Sequence, residues 1–264
     1  MLASPKCTRV KYSITILLLL YIATLFCTGT SVNLTIVRCT KDLAMPITQE
    51  EENDANRMTS LSKELLAAVY CDNLQGNPST VRSISEKVRT SKDFLIGECK
   101  NLAKNGLLKS KSKGYHLTNK GRKKITVVFA GGVFDIIHPG HVHTLSESKK
   151  LGDVLVVSVA RNSTVIKNKG HEPVNDEELR RELVQALKCV DLAILGSETN
   201  IFETVEKVKP NVIALGYDQK HNEKVLVEES AKRGINVKVV RLSSPIPSVK
   251  SSNIIKEQSI MKDF

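Results

Sequence analysis

Apolar positions along this chain fall into three regimes. Residues 12–37 contain no charge, include the run Ile14-Thr15-Ile16-Leu17-Leu18-Leu19-Leu20-Tyr21-Ile22, and follow Lys6, Arg9 and Lys11. Such a run behind basic flanks predicts a signal peptide or a membrane anchor. The basic N-terminus would then stay in the cytoplasm and the remainder would lie outside. A later start codon is the favoured reading: Met58 opens the first block with regular periodicity, after the polar stretch 49–57, and Met45 is a second candidate. On that reading the protein is cytoplasmic; on the other it is membrane-anchored.

Residues 58–124 change period. Leu61, Leu65, Leu66, Val69 and Tyr70 recur at helical spacing. Gly76-Asn77-Pro78-Ser79 breaks the chain. Val81, Ile84 and Val88 mark a second, short helix. Ser91 is placed to cap a third, carrying Phe94, Leu95, Cys99 and Leu102 and closed by Asn105-Gly106. Residues 107–117 then read as strand, turn and strand.

From Ile125 onward, apolar runs alternate with helical patterns. The strand candidates are 126–130, 154–159, 192–195, 212–215 and 237–240. The helix candidates are 141–151, 176–188, 200–207 and 223–233, and Lys167-Asn168-Lys169-Gly170 reads as a basic loop. Repeated βα units predict a parallel sheet with helices on both faces. Ligands of such sheets bind beyond the carboxyl ends of the strands.

Charge sharpens this division. The chain carries a net charge of +11, and residues 58–124 hold 14 Lys and Arg against 5 Asp and Glu. The excess belongs to the middle block, which points to an anionic partner there. The six cysteines form no C-x-x-C pair, and no His stands at metal-ligand spacing with them, which argues against zinc. A chain with this much core needs no disulfide scaffold, so reduced thiols are expected. Trp is absent, which disfavours an aromatic stacking platform for nucleic acid.

The candidate chemistry lies at the end of the strand at 126–130, in Gly131-Gly132-Val133-Phe134-Asp135-Ile136-Ile137-His138-Pro139-Gly140-His141. Glycines let backbone N–H groups approach an anion closely. A new helix presents free N–H groups and a dipole that favours negative charge. Pro139 suits a helix opening, where its missing N–H costs nothing. Two imidazoles can each donate to phosphate oxygens. Together these features predict a phosphate site, with His143 structural.

The spacing Gly-x-Phe-Asp-x-x-His-x-Gly-His resembles the signature of the cytidylyltransferase-like nucleotidyltransferases, and the resemblance extends over nearly all of 125–257. His-Pro-Gly-His and Leu215-Gly216-Tyr217-Asp218-Gln219 are most similar to the archaeal FAD synthases within that family. The two tryptophans and the Thr-x-Gly-Ile segment of glycerol-3-phosphate cytidylyltransferases are missing. The resemblance implies a Rossmann-like, doubly wound parallel sheet over 125–258, with a tail at 259–264 and an apolar leader or extension at 1–57. Residues 58–124 resemble a winged helix-turn-helix, on their three helices and basic hairpin and on Leu102-x-x-Asn105-Gly106-Leu107-Leu108 followed by Leu117-Thr118-x-x-Gly121. By general docking geometry the helix from Ser91 would enter the major groove, with Lys92 near its start and Lys109, Lys111 and Lys113 on phosphates.

The implied activity is direct attack of an acceptor phosphate on the α-phosphorus of ATP, with pyrophosphate leaving. FMN is the implied acceptor and FAD the product. His138 and His141 would contact the transferring phosphates, and Lys169, with Lys167 as alternate, would neutralise the triphosphate. Gly132, Val133, Phe134, Asp135 and Gly140 would shape the nucleotide site. Arg180, Asp218, Ser251 and Ser252 would add contacts to phosphate or adenosine. Mg²⁺ would accompany ATP, held mostly by phosphate and water. Many family members are dimers, so a homodimer is a candidate. Two other functions stay open: a CTP-dependent cytidylyltransferase acting on a phosphorylated alcohol such as glycerol 3-phosphate, and a DNA-binding regulator whose nucleotidyltransferase-like domain senses a ligand.

Overall fold

A computed structural model describes residues 58–243 of the chain. The apolar stretch 12–37, Met45, Ser251, Ser252 and the tail 259–264 lie outside the described residues. Everything described belongs to one compact unit that begins at Met58.

Three helices come first: α1 (Ser60–Leu74), α2 (Val81–Val88) and α3 (Lys92–Lys104). Thr59 caps α1 by accepting from the Ser62 N–H, and Thr80 and Ser83 form a reciprocal capping box on α2. Ser91 occupies the cap position of α3 but makes no side-chain cap bond. Leu95, Cys99 and Leu102 of α3 are buried, whereas Phe94, read as part of the same apolar stripe, is 56% exposed. It lies on the outer side of the helix, away from those three. Strands β1 (Leu108–Lys111) and β2 (Gly114–Leu117) form an antiparallel ribbon, and the short helix α4 (Asn119–Arg122) follows. The Tyr115 N–H donates to the Ser79 carbonyl and pins the ribbon against the α1–α2 connection.

The remaining elements alternate: β3 (Val127–Gly132), α5 (Pro139–Lys149), β4 (Val154–Val159), α6 (Asn162–Lys169), α7 (Glu177–Gln185), β5 (Leu192–Leu195), α8 (Ile201–Val208), β6 (Val212–Leu215), α9 (Glu223–Lys232) and β7 (Lys238–Arg241). The sheet order is β5-β4-β3-β6-β7, and every pairing is parallel. This is the doubly wound arrangement, with β3 central. All of β4 is buried, as expected for a parallel strand covered on both faces.

Alternation along the strands sorts side chains into two layers. Val127, Phe129, Val154, Val156, Ile213 and Leu215 face one way and pack with Val205, Val208 and Leu226 of α8 and α9. Val128, Ala130, Leu155, Val157, Val212 and Ala214 face the other way, against Leu145 of α5 and Val184 of α7. The first layer is continuous with the core of α1–α3, through Leu65, Leu66, Val69 and Tyr70.

One element differs in kind from expectation. Residues 162–169 form a helix rather than a basic loop, capped by Gly170 in the left-handed region at φ 76°. Its only apolar residues are Val165 and Ile166, too few for a period to show. Among the described residues, no helix is long and apolar enough to cross a membrane.

Candidate active site

The site begins where β3 ends. Phe134 takes φ 53°, a left-handed conformation costly for an aromatic residue. That turn folds its ring back over Gly132, where a Cβ would stand 2.8 Å from the ring carbon Cζ. Gly132 is therefore a packing requirement of the loop. The Phe134 ring meets His141 edge-on, with centroids 5.1 Å apart.

His138 occupies the cap position of α5, and Pro139 opens the helix. One turn brings His141 beneath His138, and the two imidazoles stack at 3.9 Å with 26° between their planes. Nδ1 of each is buried without a hydrogen-bond partner. Burial, helped by the adjacent His138, pushes the His141 imidazole down to about 4. Burial also lowers His138, while the Asp218 carboxylate pulls it the other way. Asp218 and Lys169 both act on His141, the carboxylate raising it and the ammonium lowering it. The four side chains thus share one electrostatic neighbourhood.

Two buried groups of opposite charge hold the loop from behind. The Asp135 carboxylate accepts from the Val174 and Asn175 N–H groups, and the Asn175 amide donates to the Asp135 carbonyl at 2.8 Å. Arg180, expected at the phosphates, does not line the cleft. It is fully buried, and its guanidinium donates to the carbonyls of Val133, Ala160 and Asn175 and to Asn162 Oδ1. Those acceptors sit after β3, after β4, before α7 and at the start of α6. Arg180 ties the histidine loop to the helix that carries Lys167 and Lys169.

Gln219 makes the corresponding tie on the other side. Its amide donates to the Gly131 carbonyl at 2.6 Å, and its Oε1 accepts from the Gly216 N–H. Arg241 donates to the carbonyls of Gly216, Gln219 and His221 and so holds the 216–221 loop.

Around these residues lies a cleft of about 650 Å³, within the range of roughly 300–1,000 Å³ usual for ligand pockets. It opens beyond the carboxyl ends of β3, β4, β5 and β6, as such a sheet predicts. Gly132, Val133, Phe134, Asp135, His138, Gly140, His141, Lys169 and Asp218 all line it. Lys167 lines it too, and so does the turn Ser197-Glu198-Thr199-Asn200 before α8, which sequence reasoning missed. A signal for that turn exists: it follows an apolar strand, and Asn200 is a helix cap whose Oδ1 accepts from Phe202 and Glu203. No cluster of three or more His, Cys, Asp or Glu that could hold a metal occurs among the described residues.

A family profile described as Cytidylyltransferase-like matches residues 129–258, which contain this whole loop system. The chain is 58% identical to the FAD synthase of Aciduliprofundum boonei over 115 residues, 44% of this chain and 76% of that protein. The chain belongs to the cytidylyltransferase-like family. To the FAD synthase of Ferroglobus placidus it is 60% identical over 115 residues, 44% of this chain and 74% of the relative. To that of Thermoplasma volcanium it is 51% identical over 131 residues, 50% of this chain and 92% of the relative. As a cytidylyltransferase-like protein, the chain is a nucleotidyltransferase with a Rossmann-like sheet.

Proposed function

We propose that this protein is an FAD synthase, transferring the adenylyl group of ATP to the phosphate of FMN. The observation that carries the reading is the 58% identity to a protein of that name across 76% of its length. A cleft with stacked imidazoles, two lysines and glycine-lined backbone supports it chemically.

In the proposed step an FMN phosphate oxygen attacks the α-phosphorus in line. The new bond joins that oxygen to phosphorus, the bond to the bridging oxygen breaks, and pyrophosphate leaves with the electron pair. Positioning and charge stabilisation supply the catalysis. His138 and His141 donate to oxygens of the transferring and leaving phosphates, whose charge favours the protonated rings. Lys169, with Lys167 beside it, balances the triphosphate charge. Asp218, on the β6 side, contacts the adenosine. Asp135 and Arg180 hold the loop without touching substrate. The cleft's carboxylates, Asp135, Glu198 and Asp218, form no cluster that could hold a cation, so the Mg²⁺ that screens the triphosphate would be held mostly by phosphate and water. Ser251 and Ser252 remain proposed phosphate donors.

The test supplies ATP or CTP with Mg²⁺, and FMN or glycerol 3-phosphate, and identifies products by chromatography with mass detection. FAD from ATP and FMN alone is expected. A CDP-alcohol from CTP would replace this reading with the cytidylyltransferase one, and no product from any pairing would favour a ligand-sensing domain. His138→Ala and His141→Ala should each lower kcat by about 100- to 1,000-fold, the range for losing an oxyanion donor.

A further inference from the structure

Residues 58–124 hold 14 Lys and Arg against 5 Asp and Glu, and none of them lines the cleft. Six of those fourteen, all lysines, lie on α3 and the β1–β2 ribbon. α2 ends at Val88 and α3 begins at Lys92, so a three-residue turn joins them, with Arg89 in the left-handed region at φ 55°. Fully buried Ile84, Leu95 and Cys99 lock the two helices together. This is a helix-turn-helix joint, and the β1–β2 ribbon stands beside it.

We propose that the outward face of α3, together with the β1–β2 ribbon, is a docking surface for duplex DNA. Lys100 and Lys104 lie four residues apart, on the side of α3 opposite Leu95, Cys99 and Leu102. Lys109 and Lys111 project from the side of β1 opposite Leu108, and Lys113 sits in the turn. With Lys92 these six lysines are exposed, and none has an ion pair or hydrogen bond among the described residues. The acidic group exposed on α3 is Asp93; Glu98 is engaged by the Ser62 hydroxyl.

Gly97 is the second, independent sign. It lies at the centre of the outward face, with open space where a Cβ would be. Glycine inside an exposed helix costs stability, and its use here lets the helix backbone come close to a partner. α3 has 13 residues, about 20 Å of rod. Its diameter of roughly 10–12 Å suits the major groove of B-DNA, about 12 Å wide. The deep, narrow major groove of A-form RNA excludes it. Among the described residues, this face offers Phe94, exposed, and His116, half-buried opposite Lys109, short of the stacking platform a single strand needs.

The surface is remote from the cleft. Helices α1 and α4 join the sheet at its amino ends, through Tyr70 to the Val208 carbonyl, Lys63 to Asp153, and Arg122 to the Lys209 carbonyl and Asn211. The cleft opens at the carboxyl ends.

The test measures binding of the full chain to a labelled random-sequence DNA duplex, the same sequence as a single strand, and an RNA duplex, between about 50 and 200 mM salt. The DNA duplex is expected to bind tightest, with log K falling linearly against log salt. The variant Lys109→Ala/Lys111→Ala/Lys113→Ala should lose on the order of 100-fold in affinity, and the salt slope should flatten by about one per lysine removed. Lys100→Ala/Lys104→Ala is the second variant, and an unchanged melting temperature in both separates lost binding from lost fold. The proposal is overturned by no duplex binding at the lowest salt, by an unchanged slope in both variants, or by equal or tighter binding of RNA or single strand. FAD formation plays no part in the readout, so the two readings fail independently.

Discussion

At the scale of single residues, the site is governed by what surrounds each ionisable group. His141 sits at about 4 because burial penalises its charged form. The folded value lies below the unfolded one, so between about 6.5 and 4 the unfolded chain binds more protons. The stability contributed by neutral His141 is therefore complete above about pH 6.5 and is lost as pH falls towards 4. Titration followed by NMR should show one imidazole with a midpoint near 4 in the free protein, moving upward when ATP is added, because an anion favours the charged ring. A midpoint that ATP leaves in place would contradict contact with phosphate. Arg180 invites a different test. Lys offers a single point of donation where the guanidinium reaches four acceptors in four segments. Arg180→Lys is expected to cost about 3 kcal/mol in denaturant unfolding. It should also lower kcat more than it raises KM for ATP, because the histidine loop shifts relative to Lys169. A variant with lowered stability and unchanged kcat would leave Arg180 a purely structural group.

At the scale of elements, legibility followed burial. The spans 154–159, 192–195 and 212–215 coincide with β4, β5 and β6, because short apolar runs buried on both faces carry a strong signal. The first strand runs on into Gly131 and Gly132, which lack β propensity and are held by pairing with Ser158 and Val159. Edge strand β7 begins one residue late and is largely uncovered. Helix α6 escaped notice because its eight residues bury only Val165. The histidine loop was legible because its residues are adjacent in sequence. The Arg180 tie was not, since its acceptors are mostly backbone carbonyls, whose positions no side-chain pattern encodes. The same holds for Gln219, which reaches back 88 residues to Gly131.

At the scale of the whole molecule, the three-helix segment and the sheet are joined by a few specific contacts over a common core. The Tyr70 hydroxyl is buried and donates to the Val208 carbonyl at 2.7 Å. Burial raises the Tyr70 phenol well above its ordinary range, while Arg122, 5.3 Å over the ring, opposes the rise. Tyr70→Phe leaves that carbonyl without its donor and should cost about 1–3 kcal/mol. In a unit of this size that is a fall in Tm of roughly 2–10 °C. Calorimetry that shows one shifted transition agrees with a shared core; an upper transition left in place beside a new lower one does not. The family match begins at Phe129, two residues into β3, while the side chains that seal the lower ends of the strands come from residues 61–125. A gene cut at the family boundary would therefore not follow a seam in the protein. It would cut Val127 and Val128 away from β3, bare Val154 and Val208, and leave the Lys209 carbonyl and Asn211 Oδ1 without the Arg122 guanidinium. The evolutionary module and the thermodynamic module have different edges, and any graft of this catalytic sheet onto another chain must carry α1 and α4 with it.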